Sequence, residues 1–218
     1  NIPAITAKVR GFIKSQPNRQ IIRTDIKDFY PSVDTVRLLS LLELSHGSQI
    51  GPRLMALIRK SLIDNKSAHE YTGLPLGMGT SVLLANYYIA QLNLSNFYEG
   101  VTVVRYEDDL ILFLDEGVDA EDVKLKLDLT LTQFGLKRNE AKTAVLSCMD
   151  TFLFLGVCYD KGSVSLPEER RQKWIQDVKN DIHEEFKNYR TLELLNTNAA
   201  IPSRRAIVDL IWKKHKLG

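Results

Sequence analysis

Two short apolar runs, Val101 to Val104 and Leu110 to Leu114, enclose Arg105-Tyr106-Glu107-Asp108-Asp109, and this pattern constrains the fold more than any other stretch. Apolar runs separated by a few polar residues predict a tight β-hairpin. Aspartate is a common turn residue, so a pair of them at a loop tip needs no function to explain it. Here, however, both flanking runs are continuously apolar, which predicts buried strands on either side. A buried hairpin that presents two carboxylates needs something to neutralise them, because unpaired buried charge is expensive. A divalent cation does that.

A second strand supplies another carboxylate. Ile21, Ile22 and Ile26 mark a β-branched strand expected to end near Phe29, with Pro31 preventing its continuation. Asp25 lies inside this apolar pattern, where aspartate is disfavoured. Pairing it with Asp108 across a sheet would build a carboxylate cage for Mg²⁺, an ion that takes few protein ligands and completes its shell with substrate phosphates.

The rest of the chain reads as mixed. Residues 5–15 are expected to be helical, broken by Gln16-Pro17-Asn18. Asp34 is a good N-cap for a helix with Val36, Leu39, Leu42 and Leu44, and Pro52 opens another with Leu54, Leu57, Ile58 and Leu62 on one face. The glycine-rich stretch Gly73-Leu-Pro75-Leu-Gly77-Met-Gly79 leads into a helix predicted to reach about Phe97. Val123, Leu127, Leu131 and Phe134 define an amphipathic helix that ends before Gly135. Residues 143–147, 152–158 and 163–166 read as short strands. After Pro167 the chain is expected to be helical to about Tyr189, and again from Ser203 to His215. The class is α+β, with a helical tail.

Composition narrows the alternatives. With 218 residues, 44% hydrophobic and 26% charged, the chain can bury a core, which excludes collagen-like and wholly disordered readings. Its two cysteines, Cys148 and Cys158, build no disulfide framework, and no apolar run approaches a membrane span, so a cytoplasmic setting without membrane contact is expected. Charge is uneven: +5 over residues 1–24, −6 over 101–130 and +3 over 168–218. An acidic centre between basic arms suits a protein that holds cations in the middle and phosphates around them. The chain begins at Asn1 and has methionines only at 55, 78 and 149, so a piece of a longer protein is expected.

Five motifs in succession resemble the palm motifs of reverse transcriptases. They are Asp25-Ile26-Lys-Asp-Phe-Tyr30; Gly73-Leu-Pro-Leu-Gly77 with Ser81 and Asn86; Tyr106-Glu-Asp108-Asp109; Gly135-Leu-Lys-Arg-Asn139-Glu-Ala-Lys142-Thr143; and Phe154-Leu155-Gly156. A Tyr-x-Asp-Asp alone is weak, but five motifs in family order over residues 23–158 are specific. The form is similar to the bacterial enzymes of retrons, group II introns and abortive-infection or defence systems.

The resemblance implies a polymerase palm, an antiparallel sheet packed on helices, with partial fingers and the helical start of a thumb. Residues 1–24 would be a fingers remnant, 25–166 the palm with inserted fingers-side helices at about 34–72, and 167–218 the beginning of the thumb. Asp25, Asp108 and Asp109, with the Ile26 carbonyl, would hold two Mg²⁺ ions, with Mn²⁺ as a substitute. Tyr30 matches the steric gate against a ribose 2′-hydroxyl: of Phe29 and Tyr30, one is expected in the core and the other, by strand alternation, at the site. Gly73, Pro75 and Gly77 would approach the nucleotide, and Lys142 would give a proton to the leaving pyrophosphate. Phe154, Leu155 and Gly156 would grip the primer, while Arg170, Arg171, Lys173, Arg204, Arg205 and Lys213 would track the nucleic-acid backbone.

Partners implied are an RNA or DNA template-primer, dNTPs and a structured RNA. The implied activity is template-directed DNA synthesis. Its rivals are template-independent synthesis in phage defence, and a non-catalytic nucleic-acid-binding or assembly module that keeps the fold. Leu76 and Val82 depart from the family's usual Gln and Pro, and Glu107 places a carboxylate where a small or apolar residue is usual.

Overall fold

A computed structural model of the chain describes residues 2–46, 49–63, 73–75 and 77–194. In chain order the elements are α1 (Ile2–Ser15), β1 (Gln20–Asp25), α2 (Phe29–Ser32), α3 (Thr35–His46), α4 (Pro52–Ile63), α5 (Gly79–Ala90), β2 (Val101–Tyr106) and β3 (Asp109–Leu114). They continue with α6 (Ala120–Thr132), β4 (Ala144–Ser147), β5 (Phe152–Phe154), β6 (Val157–Asp160), β7 (Ser163–Ser165) and α7 (Glu168–Leu194). Two sheets result, a four-stranded one in the order β2-β3-β1-β4 and a three-stranded one in the order β5-β6-β7. Every pairing in the larger sheet is antiparallel.

The hairpin forms as the sequence predicts, but its two strands differ. β3 is buried along Leu110–Leu114, whereas β2 is only partly buried, because β2 is the sheet's edge and β3 is interior. On one face Ile22, Leu110, Leu112 and Leu114 join a core with Leu38, Leu39 and Leu42 of α3, Tyr88 of α5, and Val123, Leu127 and Leu131 of α6. On the opposite face the Phe12 ring of α1 lies 5.0 Å from that of Phe113.

Several boundaries differ from the expectation. β1 ends at Asp25 rather than near Phe29: Asp28 takes a left-handed φ of 46°, and Pro31, whose ring suits a helical φ, sits within the turn α2. Asp34 does cap α3, its Oδ1 accepting from the Arg37 N–H at 2.9 Å. Yet Val36 and Leu44 are exposed, since the buried stripe of α3 runs through Thr35, Leu38, Leu39 and Leu42. In α4 the stripe is Met55, Ile58 and Leu62, leaving Leu54 and Leu57 outside. The helix expected to reach Phe97 stops at Ala90, with a separate 3₁₀ turn at Leu94–Asn96. The run 152–158 is two strands, β5 and β6, joined at Leu155 and Gly156, both at positive φ. The helix expected from Ser203 to His215, and Leu76, lie outside the described residues.

The chain divides into two compact units, Asn1–Leu155 with Tyr159–Val164, and a second holding Gly156–Cys158 and the residues from Ser165 onward. In the second unit α7 is strongly charged and opens on Glu168 and Glu169, which suit a helix N-terminus. Among the described residues no helix is long and apolar enough to cross a membrane.

Candidate active site

The site is built by the sheet's register and lies within the first unit. Asp25, the last residue of β1, stands opposite Asp109, the first of β3, and Tyr106 of β2 stands opposite the same Asp109. Glu107 and Asp108 form the two-residue turn between β2 and β3, with Glu107 at a left-handed φ of 52°. The Ile26 N–H donates to the Asp108 carbonyl at 3.1 Å, so the backbone just past Asp25 is bonded to the turn itself. On the other side of this strand, Asn139 N–H donates to the Asp25 carbonyl at 2.9 Å and Lys27 N–H to the Lys137 carbonyl at 2.8 Å. That pairing brings the 3₁₀ turn Glu140–Lys142 alongside, and Lys142 Nζ donates to Asp25 Oδ2 at 2.6 Å.

The electrostatics are those of crowded carboxylates. Burial pushes the Asp108 carboxyl above its ordinary 3.8, and the charge of Asp25 adds to the rise. Asp109 is raised likewise, by burial first and then by Asp108, Asp25 and Glu107. The Lys142 ammonium is held more firmly protonated by its hydrogen bond to Asp25 and by that residue's charge. Asp25 is 7% exposed, and its Oδ1 is buried without a hydrogen-bond partner.

Whether these residues fit a divalent cation is decided by their donor chemistry. Three carboxylates at one sheet end, two disfavoured as anions and one with an orphaned buried oxygen, are hard oxygen donors short of positive charge, and they fit Mg²⁺ or Mn²⁺. Among the described residues no three His, Cys, Asp or Glu side chains are already gathered as a metal-holding group; Lys142 instead neutralises Asp25.

The crowding has a measurable consequence. A carboxyl whose folded pKa is raised binds protons more readily in the folded state, so stability falls as pH rises through that pKa. Asp109→Asn removes the repelled charge and is expected to raise the metal-free melting temperature at pH 7 by roughly 1–3 °C, solvent screening keeping the effect small. The gain should fade as pH falls toward 3.8, where a carboxyl with a raised pKa is mostly protonated. A thermal melt series from pH 4 to 8 checks both the sign and the window.

Around the carboxylates, Phe29 is buried in the core while Tyr30 is partly buried. The Tyr30 phenol is pushed up by burial and then by Glu107 and Asp108, which places it beside the carboxylate turn. Their division of labour arises from a helical turn, not from strand alternation as expected. Gly73 has φ 91°, and a Cβ there would lie 3.1 Å from the Pro31 carbonyl oxygen. Its N–H donates to Val33 O at 2.7 Å and that of Leu74 to Tyr30 O at 2.8 Å, so this glycine's close approach is to the Tyr30 turn. The Pro75 carbonyl accepts from Ser81 Oγ at 2.6 Å, tying the loop to α5; Gly77, at φ 81°, faces open space.

A family described as reverse transcriptase (RNA-dependent DNA polymerase) matches residues 3–159, well over half of the chain. The chain belongs to the reverse transcriptase family. Among solved structures, telomerase from Candida tropicalis in complex with a TWJ fragment of telomeric RNA is similar at a TM-score of 0.61 and 15% identity, over 96% of this chain and 41% of that one. Telomerase from Candida albicans, also with a TWJ fragment, gives 0.55 and 14% over 99% and 42%. Apo telomerase from Candida tropicalis truncated from its C-terminal domain gives 0.57 and 12% over 77% and 40%. At such identities the likeness shows the fold, a palm-like α+β sheet, and this chain spans about two-fifths of each structure. No curated protein sequence matches it.

The remaining residues singled out in this reverse transcriptase chain belong to the β5–β6 turn and to the second unit. Phe154 ends β5 and is buried, and Leu155 and Gly156 form the turn after it. Arg23, on the same face of β1 as Asp25, donates to the Leu153 carbonyl at 2.9 Å and so ties β5 to β1. In the second unit Arg170 donates to the Gly156 carbonyl at 3.2 Å, Arg171 pairs with Glu168 at 2.7 Å, and Lys173 is exposed. Arg204, Arg205 and Lys213 lie outside the described residues.

Sequence reasoning missed the supports. Buried Thr24 shares a hydrogen bond of 2.7 Å with Thr143, whose hydroxyl also accepts from Arg138 at 2.9 Å. Arg138 in turn grips Asp128 of α6 through two hydrogen bonds of 2.9 and 2.8 Å. The one available signal was a threonine, Thr24, on the apolar face of an interior strand; nothing local links Arg138 to Asp128.

Proposed function

We propose that this chain carries the catalytic palm of an RNA-directed DNA polymerase, adding dNTPs to a primer 3′-hydroxyl. The observation that supports it best is the β1–β3 register, which sets Asp25 opposite Asp109 beside the turn residue Asp108 and within reach of Lys142. In this reading Asp25 and Asp108 hold two divalent ions, with Asp109 and the Ile26 carbonyl assisting. When bound, such ions acidify the 3′-hydroxyl and neutralise the departing pyrophosphate.

The protein's own groups orient the reaction. The 3′-hydroxyl loses its proton to solvent as its oxygen bonds to the α-phosphorus and the bond from that phosphorus to the α–β bridging oxygen breaks. Lys142, held protonated by Asp25, gives its proton to the leaving pyrophosphate. Gly73, Pro75 and Gly77 line the nucleotide's approach, and Phe154, Leu155 and Gly156 hold the primer strand. Residues 1–24 would belong to the fingers. Arg170, Arg171 and Lys173, with Arg204, Arg205 and Lys213, would follow the duplex backbone on the thumb, through contacts that weaken with salt.

Tyr30 is the specificity residue of this reading. Its ring beside the carboxylate turn would meet a 2′-hydroxyl, so Tyr30→Ala is expected to raise rNTP incorporation relative to dNTP by about tenfold or more. Single-nucleotide incorporation with paired dNTP and rNTP measures it, and unchanged discrimination removes the gate.

The test of the function is extension of a labelled DNA primer with dNTPs and Mg²⁺, on RNA, on DNA or without template. It should use the 218-residue chain and the longest native product that contains it. Extension on RNA is the expected result. Extension without template favours the template-independent polymerase, and nucleic-acid binding with no extension by either product favours a non-catalytic module.

A further inference from the structure

Arg105 occupies an unusual place for a cation, in a strand one residue before Tyr106. In the β2–β3 register it stands opposite Leu110, so its side chain leaves the sheet on the face that packs on α3, α5 and α6, opposite to Asp109. There it is half-buried, and one terminal nitrogen donates twice: to the Asn86 side-chain oxygen on α5 at 3.1 Å and to the Glu107 carbonyl at 3.0 Å. Glu107 is the left-handed residue of the turn, a conformation that costs a side-chain-bearing residue energy and persists only when its surroundings enforce it.

We propose that Arg105, anchored by Asn86, is a positioning residue that locks the Glu107 turn from behind and thereby aims the Asp108 and Asp109 carboxylates. Desolvation makes a half-buried guanidinium costly unless it is hydrogen-bonded, so the two acceptors hold it and it holds them. The same helix α5 is tied through Ser81 to Pro75, and the glycine-rich stretch is tied through Leu74 to Tyr30. The carboxylate turn and the Tyr30 turn are therefore referenced to one scaffold. This also gives Glu107 a role: its backbone carbonyl is the handle.

The inference rests on the polymerase reading, and the test separates the two. Saturable Mn²⁺ binding to the whole chain is followed by electron paramagnetic resonance without nucleic acid, beside thermal melts and primer extension. Arg105→Gln and Asn86→Ala are each expected to raise the half-saturating Mn²⁺ concentration about tenfold, as loss of a supporting hydrogen bond does at metal sites. Asn86→Asp, which keeps an acceptor for Arg105, should stay within about twofold of wild type.

Arg105→Gln binding Mn²⁺ as tightly as wild type overturns the proposal, and so does Asn86→Asp being as weak as Asn86→Ala. If Arg105→Gln loses its melting transition, the two Asn86 variants decide the question. A wild-type chain that binds Mn²⁺ but extends no primer counts against the polymerase reading alone. One that binds no Mn²⁺ overturns this inference together with the metal assignment.

Discussion

Replacing Asp108 by alanine is expected to abolish primer extension while leaving the fold intact. Several kcal/mol of transition-state charge stabilisation depends on the ions this carboxylate would hold, which corresponds to a loss of about 10³-fold or more in rate. Because Asp108 is disfavoured as an anion by burial and by Asp25, its removal should not lower the melting temperature. Loss of activity therefore cannot be ascribed to unfolding. Single-turnover incorporation alongside a thermal melt checks both halves. Activity within tenfold of wild type would take Asp108 out of the metal site, whereas a lost melting transition would mean that its packing, not its charge, matters.

The second large effect concerns the sheet that carries the site. Phe113 is fully buried on β3, opposite Ile21 in the register and 5.0 Å from the Phe12 ring. Phe113→Ala removes that packing and leaves a cavity, at an expected cost of about 3–5 kcal/mol. Against the 5–15 kcal/mol typical of a domain, such a loss is a large fraction of the total. Urea denaturation measures it, with Leu44→Ala as the control: Leu44 is 86% exposed and should cost less than about 0.5 kcal/mol. A cost below 1 kcal/mol for Phe113→Ala would mean that α1 does not close this face of the sheet.

Local patterns were legible where local physics decides. The β2–β3 hairpin follows from two apolar runs around a short turn, the α3 cap from Asp34 ahead of a helical pattern, and the end of α6 from Gly135 at φ 69°. The misses share one cause, which is that burial is settled by neighbours. Val36, Leu44, Leu54 and Leu57 look like core residues by type, but the stripes that meet the sheet and the adjoining helices pass beside them. Likewise β2 is as apolar as an interior strand, yet nothing pairs with its outer edge within the described sheet, so it is only partly buried.

The candidate site divides along the same line. By itself the sequence determined the chemistry on offer: Asp108 and Asp109 at a hairpin turn, Asp25 at the end of a β-branched strand, Lys142 after Gly135, and the order of five motifs that resemble reverse transcriptases. Only the tertiary structure decided which of these meet. The β1–β3 register sets Asp25 against Asp109, the 137–139 segment brings Lys142 to Asp25, and a helical turn sends Phe29 inward and Tyr30 to the carboxylates. It also recruited Arg105 and Asn86, which no motif role had assigned. The reason is physical: turn and helix preferences act over a few residues, whereas register is chosen by burying β3 on both faces at once, and that choice belongs to the whole sheet.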